Sequence, residues 1–356
     1  MRHSTSIFLL AAMALLAASG LSLLKAQTPP PGQPLVRIVP PIPPAHRKTQ
    51  QVRGFSMQLF QQGKDEYIKA IDEMADLGCT WVNLSFSARQ DNVHSEVIAI
   101  NWTTVPSENE LREIIMHAKK RGMGVMFMPI VLLSNSGPKD WRGVIAPASW
   151  DNWFAAYNSY ITYMARVAAD CDVDIFCVGS ELLSTEPQRE RWVDTIAQVR
   201  SVYKGKLTYS ANWDHYEYPT FWDQLDYIGM NNYNELGDFG TPVDKLDETW
   251  KPIKKKILEF VAKEKKPFMF TEVGWHNLVN TLNQPWNYVA EGKVDYNEQL
   301  RAYQSFVDTW KDVPRDEFMG AFIWEWWPGA KYGDHGSYSL QGAPALDVVK
   351  KWMSTE

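Results

Sequence analysis

Three observations predict that this 356-residue chain folds as a (β/α)8 barrel. Eight short apolar runs follow one another along the chain, and longer, mostly amphipathic segments separate them. Near-continuous apolar runs of this length are typical of parallel strands that are covered on both faces. No clear hairpin signal joins neighbouring runs, and the segment from Gln51 to Glu356 has the length of one large barrel, which takes about 250 residues or more.

The N-terminus reads as a targeting segment that precedes the fold. Arg2 and His3 stand before an apolar stretch from Ile7 to about Ala18, and the small residue Ala26 offers a peptidase site. This stretch is short for a membrane span and has the organisation of a secretory signal. We therefore expect a signal peptide over residues 1–26 and a secreted or periplasmic protein, with an uncleaved membrane anchor as the alternative.

Proline dominates the segment that follows. Residues 27–50 contain Pro29, Pro30, Pro31, Pro34, Pro40, Pro41, Pro43 and Pro44. Such a segment favours extended polyproline II structure and lacks many amide donors, which predicts a tether without packed structure. The catalytic barrel is then predicted over residues 51–356 as a single domain.

The eight predicted strands follow in sequence order. They are Val52–Leu59, Thr80–Phe86, Gly124–Val131, Ile175–Gly179, Leu207–Ala211, Tyr227–Asn231, Phe268–Val273 and Met319–Trp324. Their regular alternation with helical patterns favours a closed barrel. An open doubly wound sheet is the alternative fold, but the glycine-rich phosphate turn typical of that fold is missing after the first strand.

The helices between these strands have recognisable ends. Ser107 and Glu110 have the spacing of a capping box, and Gly122 stands where that helix is expected to end. The segment 64–77 carries apolar residues at helical spacing and ends at Gly78. A further helix is predicted after Pro187, with its apolar face turned inward.

Composition and net charge indicate which classes of binding partner to expect. The net charge is −6 and no stripe of Lys or Arg is apparent, so we expect no nucleic-acid partner. Three cysteines are an odd number and exclude a disulfide-framed scaffold, and we expect Cys79 and Cys177 to be buried. Sixteen tryptophans favour a carbohydrate ligand, although core packing explains many of them equally well. We expect a monomer that uses no cofactor. Because few histidines accompany the predicted strand ends, we also expect no metal site.

Two glutamates carry the functional prediction. Glu181 follows the fourth predicted strand, and Glu272 lies in the seventh. Because barrel enzymes hold their chemistry at the carboxyl ends of the strands, we expect both side chains at one mouth of the barrel. Two carboxylates that converge on one pocket are the basic equipment for cleaving a glycosidic bond. A structural ion pair at the top of the barrel is the alternative reading for either glutamate alone.

Sequence motifs along nearly the whole barrel resemble one glycosidase family. They are Gly78-Cys-Thr-Trp-Val82, Glu110-Leu-Arg-Glu-Ile-Ile115, Trp153-Phe154 with Tyr157, Val178-Gly-Ser-Glu-Leu182 with Thr185-Glu186, Leu207-Thr-Tyr-Ser-Ala-Asn212, Phe221-Trp222, Leu225-Asp-Tyr-Ile-Gly229 and Thr271-Glu272. In this combination the chain resembles glycoside hydrolase family 113, a family of β-1,4-mannanases. That family lies within the clan of (β/α)8 glycosidases whose catalytic glutamates end strands four and seven.

The resemblance implies a retaining double displacement on β-1,4-linked mannan or manno-oligosaccharides, without a cofactor. Glu181 is then the general acid/base and Glu272 the nucleophile, so the first step needs Glu181 protonated and Glu272 ionised. Tyr233 matches the clan's strand-six tyrosine, which steadies the nucleophile, and Trp324 matches the tryptophan that floors the subsite of the cleaved sugar. The further substrate-binding candidates beside these strand ends are Asn212, Trp213, Trp275 and Asn232.

Other readings remain open at this point. A different β-glucan or a short β-glycoside is an alternative substrate, and transglycosylation would use the same residues. A non-catalytic carbohydrate-binding barrel is the alternative from another class of protein. Among the remaining acidic residues, we expect Glu186 to be a charge at a helix N-terminus. We expect Glu325 to point away from the mouth, because side chains alternate along a strand.

Overall fold

The computed structural model of the protein describes residues 51–354. The predicted signal peptide over residues 1–26 and the proline-rich linker over residues 27–50 lie outside the described residues and remain predictions. No helix between residues 51 and 354 combines the length and the apolar character that are needed to cross a lipid bilayer.

Eight parallel strands close into a barrel, which confirms the predicted fold. The strands are β1 (Val52–Leu59), β2 (Trp81–Gln90), β3 (Gly124–Leu133), β4 (Ile175–Ser180), β5 (Lys206–Ala211), β6 (Ile228–Asn232), β7 (Phe268–Val273) and β8 (Phe318–Trp324). They are hydrogen-bonded in sequence order, and β8 pairs with β1 in a register that sets Trp324 beside Ser56. All carboxyl ends therefore lie at one mouth of the barrel.

Two strands extend by two or more residues beyond their predicted carboxyl ends. β2 and β3 stay paired as far as Gln90 and Leu133, whereas the sequence prediction ends at Phe86 and Val131. The extension of β2 ends in polar residues, which do not fit an apolar strand pattern, so it could not be predicted from that pattern.

Seven α-helices surround the barrel within the described range. They are α1 (Asp65–Asp76), α2 (Glu108–Lys120), α3 (Trp150–Asp170), α4 (Arg189–Val202), α5 (Val243–Glu264), α6 (Tyr296–Trp310) and α7 (Ala345–Ser354). The connection between β5 and β6 has only a short 3-10 turn, Trp222–Gln224, where the predicted alternation calls for a helix. This connection spans residues 212–227 and contains Pro219, so it is too short and too interrupted for a full crossover helix.

The helix ends form where the sequence predicts them. The hydroxyl of Ser107 accepts from the backbone N–H of Glu110, whose carboxylate in turn accepts from the Ser107 backbone, so the predicted capping box is present. Gly78 and Gly122 have φ values of +93° and +90°. A residue with a Cβ rarely adopts this left-handed conformation, which is why glycine follows the last turn of both α1 and α2.

The main core lies between the barrel and the helices. Its largest fully buried side chains include Trp153, Trp192, Trp250 and Trp310, so most of the tryptophan enrichment on the helices serves packing rather than ligand binding. Trp192 stacks on Phe221 with ring centroids 4.7 Å apart, and such pairs stabilise the fold by about 0.5–1.5 kcal/mol beyond their buried area. All three cysteines are buried and free.

Candidate active site

The candidate catalytic residues meet at the carboxyl mouth of the barrel. Glu181 directly follows β4, Glu272 lies near the end of β7, and Tyr233 directly follows β6. The charge of Glu181 lies close enough to raise the pKa of both Glu272 and Tyr233, so the three groups share one site. The structure thus brings together the residues that the sequence singles out on strands four, six and seven.

Glu272 is the more buried of the two carboxyl groups. The residue is 4% exposed, and its Oε2 atom accepts a hydrogen bond of 3.0 Å from the Tyr233 hydroxyl. Burial raises the pKa of the Glu272 carboxyl, and the nearby charge of Glu181 raises it further, while Arg142 and the Tyr233 hydroxyl act in the opposite direction. Burial and a nearby like charge both disfavour the ionised form of a carboxyl group, whereas a cation and a hydrogen-bond donor favour it.

The backbone of Glu181 has an uncommon conformation. Its φ is +54°, in the left-handed region that residues other than glycine seldom adopt. Two hydrogen bonds hold this turn: the Glu181 amide donates to the Ser210 carbonyl at 2.9 Å, and the Leu182 amide donates to the Tyr209 hydroxyl at 2.9 Å. Backbone outliers that the surrounding structure holds in place are concentrated at functional sites, which supports a functional role for Glu181.

Two residues that sequence reasoning missed hold the Glu181 carboxylate. Arg142 Nη2 lies 2.6 Å from Glu181 Oε2, and the Asn231 side-chain amide donates to Glu181 Oε1. Arg142 lies in a 3-10 turn between β3 and α3, beyond an apolar strand end that gave no sign of a charged partner. The rule that each loop after a barrel strand contributes to the site was the one signal that could have found it.

The substrate-binding predictions on strands five and six are partly corrected. Asn212 Oδ1 accepts from Asn231 Nδ2 at 3.2 Å, and the Trp213 amide donates to Asn231 Oδ1 at 2.7 Å, so both predicted residues border the site. Asn232 is fully buried, and its Oδ1 accepts from Asn234 at 2.7 Å. Because successive side chains of a strand face opposite sides, Asn231 and not Asn232 points into the mouth.

The two predicted tryptophans have different environments. Trp324 ends β8 at the mouth and is partly exposed, as a sugar platform requires. Trp275 is fully buried, and its ring meets that of Tyr303 edge-on with centroids 5.0 Å apart. The structure therefore corrects the prediction for Trp275: the side chain belongs to the core and is not available to stack on a sugar.

Glu325 faces the site, contrary to the alternation expected along strand eight. Its Oε2 accepts a hydrogen bond from Gln58 Nε2 at 2.8 Å, and its charge contributes to raising the pKa of Glu272. β8 ends at Trp324, so the alternation rule for a regular strand no longer applies one residue later. Burial raises the pKa of Glu325 to about 7.

Among the described residues, no three His, Cys, Asp or Glu side chains converge as a metal site requires.

Glu186 is a buried acid rather than the expected charge at a helix N-terminus. It is fully buried, it precedes the N-cap of α4 by two residues, and its Oε1 accepts from the Tyr209 hydroxyl at 2.8 Å. Burial raises the pKa of Glu186 to about 8, and the charges of Glu181 and Asp214 add to the effect. Tyr209 in turn accepts from the amide next to Glu181, so Glu186 supports the turn that holds the catalytic candidate.

This raised pKa gives a prediction on stability. The folded state holds the Glu186 proton more tightly than the unfolded chain, so its contribution to the free energy of unfolding is present at low pH and is lost as pH rises from about 4.5 to about 8. Glu186→Gln cannot ionise. We expect its unfolding free energy, relative to wild type, to increase by about 3–4 kcal/mol between pH 5 and pH 8. Calorimetry at both pH values measures this, with the exposed Glu259→Gln as control. A difference from wild type that does not change with pH would contradict the prediction.

Comparison with known proteins shows the family of this chain. The family model for Glycoside Hydrolase Family 113 matches residues 55–339. The structure of the family 113 β-mannanase AaManA from Alicyclobacillus acidocaldarius is 29% identical, with a TM-score of 0.77 over 86% of this chain and 98% of that one. A family 113 β-1,4-mannanase structure is 26% identical, with a TM-score of 0.76 over 86% of this chain and 100% of that one.

A more distant structure shares only the fold. The β-glucuronidase of Faecalibacterium prausnitzii is 14% identical, with a TM-score of 0.58 over 86% of this chain and 49% of that one. A search of curated protein sequences gave no significant match. The family model covers most of the barrel and both glutamates, which confirms the resemblance seen in the sequence. The protein is therefore a glycoside hydrolase, and the chain belongs to glycoside hydrolase family 113.

Proposed function

We propose that this enzyme is a retaining β-mannanase that cleaves β-1,4-linked mannan or manno-oligosaccharides by double displacement. The observation that carries the proposal is the pair of glutamates at one barrel mouth, each with its own set of donors. Glu272 accepts a hydrogen bond from the Tyr233 hydroxyl. Glu181 forms an ion pair with Arg142 and accepts a hydrogen bond from Asn231. Two carboxyl groups in distinct environments suit the two distinct roles that this reaction needs.

In the first step, Glu272 attacks the anomeric carbon and forms a glycosyl ester. The Tyr233 hydroxyl donates to Oε2 and keeps this carboxylate aligned. Glu181 delivers a proton to the leaving glycosidic oxygen as that bond breaks. This step needs the ionised form of Glu272, which burial disfavours and which Arg142 and the Tyr233 hydroxyl favour.

In the second step, the ester at Glu272 no longer carries a charge. Glu181, which gave up its proton in the first step, takes a proton from an incoming water molecule. The water oxygen attacks the anomeric carbon from the face that the leaving group vacated, and the Glu272 carboxylate is released. The two displacements each invert the anomeric carbon, so the product keeps the β configuration.

The substrate assignment rests on the relatives. The similar family 113 structures are described as a β-mannanase and a β-1,4-mannanase. Trp324 is partly exposed at the mouth and offers an apolar face to a sugar ring, while Asn212 and Trp213 border Asn231 on the other side. These features support binding of a pyranose chain. The alternative substrates are a different β-glucan and a short β-glycoside, and the alternative reaction is transglycosylation.

Product analysis of the full-length protein tests the assignment. The protein is incubated with mannan, glucomannan, cellulose oligomers and xylan, beside the variants Glu272→Ala and Glu259→Ala. We expect manno-oligosaccharides from the wild type and from Glu259→Ala, whose side chain is exposed on α5, and none from Glu272→Ala. Release from another glycan alone would contradict the mannan assignment. Products longer than the substrate would indicate transglycosylation.

A further inference from the structure

Arg142 binds both the side chain and the backbone at the acid/base candidate. Its Nη2 atom lies 2.6 Å from Glu181 Oε2, and its Nε–H donates to the Ser180 carbonyl at 3.2 Å. The Arg142 and Glu181 side chains are 18% and 14% exposed, so the pair is largely removed from water. A planar guanidinium that makes two such contacts fixes its partner's orientation as well as its charge.

The other carboxylate oxygen of Glu181 is also occupied by a donor. Asn231 Nδ2 donates to Glu181 Oε1 and to Asn212 Oδ1. The orientation of the Asn231 amide is set by its own oxygen, which accepts from the Trp213 backbone N–H at 2.7 Å. Because neither a guanidinium nor an amide nitrogen accepts hydrogen bonds, a protonated Glu181 would turn its hydrogen toward another donor. The observed contacts therefore fit the ionised form of Glu181.

The two steps of the reaction differ in which form of Glu181 they need. The first step uses the protonated acid, and the second uses the carboxylate as a base. During the second step Glu272 is esterified, and the like charge that opposes an ionised Glu181 is gone. The contacts from Arg142 and Asn231 match this second step. The step in which Arg142 stabilises the reacting form is therefore hydrolysis of the glycosyl-enzyme.

We propose that Arg142 is the positioning residue of the base step: it orients the ionised Glu181 toward the water that cleaves the glycosyl ester. This inference rests on the proposed retaining mechanism. A merely structural role for Arg142 would lower the rates of formation and of hydrolysis of the glycosyl-enzyme together, whereas the proposed role affects hydrolysis alone. Loss of Arg142 slows deglycosylation, whereas formation of the glycosyl-enzyme from a substrate with a good leaving group needs no proton from Glu181 and is preserved.

The experiment is stopped-flow hydrolysis of 2,4-dinitrophenyl β-mannobioside by the full-length protein and three variants. Arg142→Gln removes the charge, Arg142→Lys keeps it, and Arg121→Gln is the control. Arg121 forms surface ion pairs with Asp72 and Asp76 where the chain leaves α2 for β3, at the opposite end of the barrel.

For Arg142→Gln we expect a burst of dinitrophenol followed by a steady-state kcat about 10- to 100-fold below wild type, as for loss of a hydrogen bond to a charged group. KM falls with kcat because the intermediate accumulates, and kcat/KM stays within about threefold. Arg142→Lys recovers part of kcat, and Arg121→Gln behaves as wild type. Equal losses in kcat and kcat/KM, or no loss in either, would overturn the inference. A wild type that shows no trapped glycosyl-enzyme and releases the inverted anomer would instead overturn the proposed mechanism.

Discussion

Glu272→Ala is expected to lower the turnover of mannan by at least about 10⁴-fold, the size of loss typical when a catalytic nucleophile is removed. The variant removes the carboxylate that attacks the anomeric carbon, and with it the acceptor of the hydrogen bond from the Tyr233 hydroxyl. The fold should survive, because the variant removes a buried carboxyl whose ionised form is disfavoured by burial. Circular dichroism and a thermal melt comparable to wild type check this.

Azide rescue tests the role of Glu272 directly. The alanine variant leaves space beside the anomeric carbon, and azide is small enough to attack from that face. With 2,4-dinitrophenyl β-mannobioside we expect turnover to return with azide and the product to be the α-mannobiosyl azide. Glu259→Ala, an exposed glutamate on α5, serves as the matched control and should keep wild-type activity without azide. Near wild-type hydrolysis by Glu272→Ala would rule out Glu272 as the nucleophile.

Glu181→Ala has a different expected signature. The loss of general acid catalysis lowers kcat/KM on mannan by about 10²- to 10⁴-fold, since the leaving sugar alkoxide needs a proton. On 2,4-dinitrophenyl β-mannobioside, kcat/KM should stay within about tenfold of wild type, because this leaving group departs without one. On this substrate both kcat and KM should fall, because Glu181 is also the base of the second step and its loss slows hydrolysis of the glycosyl-enzyme.

The azide product distinguishes this variant from the first one. In Glu181→Ala, azide attacks the glycosyl ester at Glu272 from the opposite face, so we expect the β-mannobiosyl azide. An α product from this variant and a β product from Glu272→Ala would mean that the two roles are reversed. Equal losses on activated and natural substrates would argue against an acid/base role for Glu181.

The sequence predicted the architecture and the central pair because both depend on local signals. Buried parallel strands are apolar on both faces, so their runs stand out, and the predicted bounds of β1 and β7 agree with the structure. Glu181 and Glu272 are charged residues at the ends of such runs, where a buried charge needs a reason. The closed order of the strands then brings strands four and seven to the same mouth.

Other parts of the site depend on side-chain direction and on loops, which leave weak traces in a sequence. Asn231 and Asn232 are adjacent, and the register between β6 and β7 shifts at this point, so the sequence pattern alone does not tell which of the two faces Glu181. Trp275 follows the nucleophile closely, yet the chain turns it into the core. Arg142 is separated from the end of β3 by an irregular loop, and only the folded chain brings it to Glu181.

Trapping of the glycosyl-enzyme is the measurement that tests the central claim most directly. A 2-deoxy-2-fluoro-β-mannosyl fluoride carries a good leaving group, while its 2-fluoro substituent slows hydrolysis of the ester because the transition states resemble an oxocarbenium ion. The full-length protein is treated with it, digested and analysed by mass spectrometry. We expect one fluoromannosyl group, attached to Glu272, and loss of the label when a sugar acceptor is added. A label on another residue, or an unlabelled enzyme that releases the inverted anomer from mannan, would contradict the account.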